Sequence, residues 1–139
     1  MLKEIAVLLL LSGCSTVMSS KAANTATDLC NVEKRPNSGE VRVIAVAETD
    51  GQHGLFLSSQ KCRFKLRIGK TPEQADRSVD QFLSHVSSGS HLTWRKYSGE
   101  FLGRVVVENA KVRFELLHVY WFRDASSESQ QSEVSKPLP

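Results

Sequence analysis

Five side chains have the types and spacing to form a binding surface: Arg63, Lys65 and Arg67 at alternate positions, Phe56 upstream of them, and Trp121 in the apolar stretch near the end. Cations at every second residue of a strand project from one face, an arrangement suited to an acidic polymer or glycan. Chemistry beyond binding has little to stand on. The sequence holds no Gly-x-Ser-x-Gly elbow, no His-Glu-x-x-His pair and no glycine-rich phosphate loop. Its four histidines, His53, His85, His91 and His118, share no ligand spacing with one another or with a cysteine. The chain is therefore expected to be no enzyme, to hold no metal and to need no cofactor, and no small-molecule substrate is indicated. A net charge of +3 over 139 residues is mildly basic, short of the footprint that nucleic acid demands. Base stacking needs aromatic rings among the cations, and Phe56 is the one candidate, so nucleic acid is not an expected partner.

The thiols carry more information. Cys14 stands three residues after the end of an apolar run over residues 5–11 that lies behind Lys3 near the amino terminus, the layout of a secretory signal. That run is too short for a membrane span, which takes about 20 residues. Leu11-Ser12-Gly13-Cys14 resembles the lipobox of bacterial lipoproteins. The resemblance implies that residues 1–13 are a signal peptide, that Cys14 is lipidated (palmitate among its acyl chains), and that the protein is anchored to a membrane. Ser15 after the cysteine goes, in that family, with sorting to the outer membrane, the domain facing the periplasm or, alternatively, the cell surface. Lipidation uses one of three cysteines and leaves an even count. In an oxidising envelope Cys30 and Cys62 are then expected to form a disulfide, two independent thiols being the alternative.

The elements that would position these groups follow from periodicity. Residues 14–27 are small, polar and aperiodic, a flexible tether. Residues 34–39 hold turn chemistry, and residues 41–48 are β-branched and apolar enough for a central strand. A two-glycine loop precedes a short extended segment at residues 55–57. Residues 63–68 alternate basic and apolar without error. Thr71 and Pro72 suit an N-cap and first helical position, and Ala75, Val79, Phe82, Leu83 and Val86 recur on one helical stripe of about four turns. Residues 91–97 and 104–107 read as strand, with Gly99 and Gly103 marking a bulge or a close backbone approach. Residues 108–111 form a hairpin turn, residues 112–122 the last strand, and residues 124–139 are expected to be disordered.

The chain is thus expected to be mainly β with one helix, in the order β-β-β-α-β-β over a single domain at residues 28–123. That order resembles the OB-fold, a five-stranded partly open barrel; a small α+β roll is the alternative. The resemblance places Arg63, Lys65 and Arg67 on the ligand face, with residues 50–53 and 109–111 in the flanking loops. Phe64, Leu66 and Ile68 would point inward, with Val79, Phe82 and Val86 closing one end. Strict alternation in the last strand would set Leu116, His118 and Tyr120 on one side and Leu117, Val119 and Trp121 on the other. Two apolar sides exceed what a half-exposed strand needs. The expected function is a non-catalytic outer-membrane lipoprotein that binds another envelope component, a protein partner first, an acidic polymer or glycan as the alternative.

Overall fold

A computed structural model describes residues 25–32, 39–89 and 93–126. Cys14, His91, most of the tether and residues 127–139 lie outside the described residues. Among the described residues the architecture is mainly β, with one α-helix. β1 (Thr27–Asp28) leads into a short 3-10 turn, followed by β2 (Glu40–Thr49), β3 (Leu55–Ser59), β4 (Cys62–Arg67), α1 (Arg77–Ser87), β5 (Arg95–Glu108) and β6 (Lys111–Asp124). The sheet runs β4-β3-β2-β5-β6. Neighbours along that path are antiparallel, and β1 pairs parallel with β2 through Thr27–Val43 and Asp28–Ile44. The ladder does not close, but just past β4 Ile68 makes an isolated parallel bridge to Phe114, and the Gly69 N–H donates to the Phe114 carbonyl at 2.9 Å.

Two boundaries extend beyond the expected 28–123 span. Thr27 belongs to a strand rather than the tether. β6 runs to Asp124, and the Ala125 N–H donates to the Lys96 carbonyl at 2.7 Å.

The alternation read for residues 63–68 holds: Arg63, Lys65 and Arg67 are exposed, Phe64 is half-buried and Leu66 is buried. The core gathers around α1, which buries Val79, Phe82 and Val86, residues three and four apart along one helical face. Phe82 sits among Phe101, Tyr97 and Phe122 at centroid separations of 5.4, 6.2 and 5.0 Å. Such tilted and edge-on contacts suit the ring quadrupoles.

The helix begins later than Thr71 and Pro72 suggest. Its N-cap is Asp76, whose carboxylate accepts the Ser78 N–H at 2.9 Å from extended backbone. The Asp76 N–H donates to the Leu117 carbonyl at 3.1 Å, so the segment before it is fastened to β6 instead of continuing a helix backwards. Thr71 and Pro72 lie in the connection, where the Ala75 N–H closes a turn onto the Pro72 carbonyl, and α1 has 11 residues, three turns rather than four.

The two glycines of β5 bracket the irregularities in its pairing to β6, which fall between Glu100 and Phe101 and between Leu102 and Gly103. A Cβ on Gly103 would lie 2.2 Å from the Glu115 carbonyl oxygen, and one on Gly99 would lie 2.8 Å from the Trp121 carbonyl oxygen. The strands come that close only because both positions lack a side chain.

Candidate interaction surface

Those irregularities decide what β6 presents. Trp121 pairs with Glu100 and Val119 with Phe101, leaving Tyr120 as an extra residue; likewise His118 pairs with Leu102 and Leu116 with Gly103, leaving Leu117 extra. Each inserted residue resets the alternation. Leu116, Leu117 and Val119 are therefore all buried, while Tyr120 and Trp121 are both exposed, at 39% and 43%. This departs from the strict alternation expected of the sequence, which set Tyr120 and Trp121 on opposite sides.

Both rings are held by one ion pair. The Arg42 Nε donates to Glu100 Oε1, and the Trp121 indole N–H donates to Glu100 Oε2 at 2.9 Å. The Arg42 guanidinium lies 3.9 Å from the centroid of the Tyr120 ring, within cation–π range, and Tyr120 meets the His118 ring edge-on at 4.5 Å. The Arg42 hydrogen bond, helped by Trp121, holds the Glu100 carboxyl below its ordinary range against the opposing effect of burial. Ile44, the partner of Glu100 on β2, is 47% exposed. Strands β2, β5 and β6 thus present Ile44, Tyr120 and Trp121 around a charged pair whose bonds fix the orientation of both aromatic rings.

The basic row of β4 is exposed as its alternation implies, but it is not three independent charges. Lys65 Nζ donates to Glu48 Oε1, and Glu48 itself is 6% exposed. The Arg67 guanidinium lies 5.8 Å from the Phe56 ring centroid, so two of the expected site residues meet each other. Trp121 is brought to a different strand and a different set of partners.

Cys30 and Cys62 are joined, with Cα atoms 5.9 Å apart. The bond ties the 3-10 turn after β1 to the first residue of β4. Asp28 organises the same corner: its carboxylate accepts the Cys30 N–H at 2.9 Å and the Ser59 hydroxyl at 3.0 Å, with Lys61 Nζ 3.7 Å away. The Cys30 N–H is the main reason its carboxyl is held below the ordinary aspartate range.

One constellation not anticipated from spacing brings together Asp76, Ser78 and His118. Ser78 Oγ donates to Asp76 Oδ1 and accepts the Val119 N–H at 2.8 Å, while His118 Nδ1 meets both Asp76 Oδ2 and, at 3.1 Å, Ser78 Oγ. Both oxygen groups address the same ring nitrogen. A catalytic relay instead needs the acid on one imidazole nitrogen and the nucleophile on the other. The arrangement is an N-cap lock that fastens α1 to β6, and the Ser78 hydroxyl is the main cause of the lowered Asp76 carboxyl pKa. Among the described residues no group of three or more His, Cys, Asp or Glu side chains is placed to hold a metal ion. Compared with protein-family models, curated proteins and solved structures, the chain matches none.

Proposed function

We propose that this chain is a non-catalytic lipoprotein of the bacterial outer membrane, lipidated at Cys14, whose OB-like domain binds a protein of the cell envelope through the β2–β5–β6 face. The observation that carries the reading is the exposure of Ile44, Tyr120 and Trp121 around the Arg42–Glu100 pair. Aromatic and arginine side chains dominate the energetics of protein interfaces, and rings already held in place lose less conformational entropy on binding. The OB-like assignment is supported by the strand order β4-β3-β2-β5-β6, by the helix between β4 and β5, and by the parallel approach of Ile68 to Phe114, which brings the two outer strands together. The anchor is supported by Leu11-Ser12-Gly13-Cys14 behind an apolar run. It leaves the domain facing the periplasm on a short tether.

The acidic-polymer reading keeps one observation in its favour, the exposure of Arg63, Lys65 and Arg67 on one face. Pairing of Lys65 with Glu48 weakens it. Both parts of the preferred reading are open to test in cells. Cys14→Ala is expected to lose palmitate labelling and membrane retention; normal labelling of that variant refutes the anchor. A photo-crosslinking residue at position 121 is expected to give one discrete protein adduct that a Tyr120→Glu change removes. Adducts forming equally well from position 63, or surviving that change, refute the face.

A further inference from the structure

A cavity of about 300 Å³ opens between the β2–β3 loop, β4, the end of α1 and the start of β5. Leu55, Leu83 and Val86 give it an apolar wall, while Arg67 and Arg95 supply two guanidinium groups; no carboxylate is among the described residues that line it. Each arginine lies in space that a glycine leaves open. A Cβ on Gly54 would stand 2.9 Å from both Nε and Nη2 of Arg67, and one on Gly89 would stand 1.9 Å from Nη1 of Arg95. Arg95 is anchored further, since its Nη1 donates to the Val86 carbonyl at 2.6 Å, at the end of α1. Asp124 feels the charge of Arg95, but its carboxyl is held chiefly by the Ser126 N–H and does not line the cavity. Asp50, in the neighbouring loop, is engaged with the backbone N–H groups of Gln52 and His53.

We infer that this cavity binds a small organic oxyanion, a phosphate monoester or a carboxylate carried on a short apolar stem, with the anionic group between Arg67 and Arg95 and the stem against Leu55, Leu83 and Val86. The Nε of Arg95 is buried without a hydrogen-bond partner among the described residues, and an oxyanion would supply that partner together with a counter-charge for both guanidinium groups. The planar guanidinium fork matches the oxygens of either group in a way an ammonium does not. The volume lies at the lower end of ligand sites, about 300 to 1,000 Å³, and so takes a small molecule or the end of a chain. None of Arg42, Ile44, Glu100, Tyr120 or Trp121 lines the cavity, so this inference and the protein-binding face stand or fall separately.

The test is a titration of the full chain, methyl-labelled and in detergent, with butyl phosphate, butyrate, inorganic phosphate and butylammonium. Saturable shifts of the Leu55, Leu83 and Val86 methyl signals are expected with butyl phosphate or butyrate. Inorganic phosphate should bind more weakly for want of a stem, and butylammonium should have no effect. Arg67→Gln is the primary variant, because its exposed side chain can be replaced without disturbing the end of α1; it should weaken binding about tenfold at an unchanged melting temperature. Arg95→Gln should weaken binding as well, and Arg95→Lys, which keeps the charge and loses the fork, should restore it only in part. The inference is overturned if neither organic anion shifts those methyls saturably, if butylammonium shifts them equally, or if Arg67→Gln binds as the parent does.

Discussion

Glu100 Oε2 accepts the indole N–H of Trp121 at 2.9 Å while Oε1 of the same carboxylate holds Arg42. One side chain of β5 thereby fixes groups from both of its neighbouring strands, β2 and β6. The relationship explains how two aromatic residues adjacent in sequence can share a face: the extra residue in β6 turns Tyr120 outward, and the Arg42 guanidinium, held by Glu100, lies over its ring.

A pH dependence follows from that carboxylate. Its folded-state pKa is lowered from an ordinary 4.5, chiefly by Arg42. A depressed carboxyl contributes stability that is fully present above the unfolded value and is lost as pH falls through the folded one. Stability to urea should therefore fall on acidification below about pH 4.5, and Glu100→Gln should flatten that part of the profile. Glutamine still offers an acceptor to Trp121, so the loss at neutral pH should be about 1 to 2 kcal/mol. An identical acid slope in parent and variant would show that the carboxylate is not linked to folding.

Gly103 should tolerate no side chain. The Glu115 oxygen that a Cβ would meet at 2.2 Å belongs to backbone, and the Phe114 ring lies 2.4 Å away on the same approach. Neither can rotate out of the way, because Phe114 is wholly buried. Gly103→Ala should cost about 3 kcal/mol, read as a lower urea midpoint, with faster amide exchange where β5 meets β6. A midpoint within error of the parent would mean that the two strands are farther apart than described.

What could be read from the chain alone follows how local the governing physics is. Residues 63–68 were legible because one face meets solvent and the other the core, so polarity alternates with the backbone. Gly99 and Gly103 were legible as close approaches because absence of a side chain inside a strand has few other uses. The helix start was not, since Thr71-Pro72 and Asp76 both offer sound cap chemistry, and only the Asp76-to-Leu117 hydrogen bond across the fold selects between them. Tyr120 and Trp121 were misplaced relative to each other because a bulge is a property of two paired strands. The Arg42–Glu100 pair, 58 positions apart, becomes visible only with the register of β2 against β5. Arg67 and Arg95 likewise share a cavity through the fold and by no spacing in the sequence.

The β5–β6 turn should be improvable. Asn109 and Ala110 both have positive φ, at 50° and 60°, as a two-residue type I′ hairpin turn requires. Asparagine tolerates that region, whereas alanine there costs about 1 to 2 kcal/mol, part of which glycine would recover after its greater unfolded-state entropy is counted. Ala110→Gly should stabilise the domain by about 0.5 to 1 kcal/mol and raise the melting temperature by a few degrees. A lower melting temperature would argue against this turn geometry.

The Cys30–Cys62 crosslink closes a loop between residues 32 positions apart. In the chain-entropy account such a closure contributes about 3 to 4 kcal/mol by restricting the unfolded chain, a large share of the stability of a domain this size. The bond also anchors the corner in which Asp28 accepts the Cys30 N–H and the Ser59 hydroxyl, so its loss should loosen β1 against β2 before it affects α1. Cys62→Ser should therefore lower the melting temperature markedly and expose one alkylatable thiol at Cys30. Amide exchange should quicken first at Thr27 and Asp28, while Phe82 and its aromatic neighbours keep their packing. Two alkylatable thiols at positions 30 and 62 in the unreduced parent protein would remove the crosslink. A uniform loss of protection across β1 and α1 in the variant would remove the local ordering argued from Asp28.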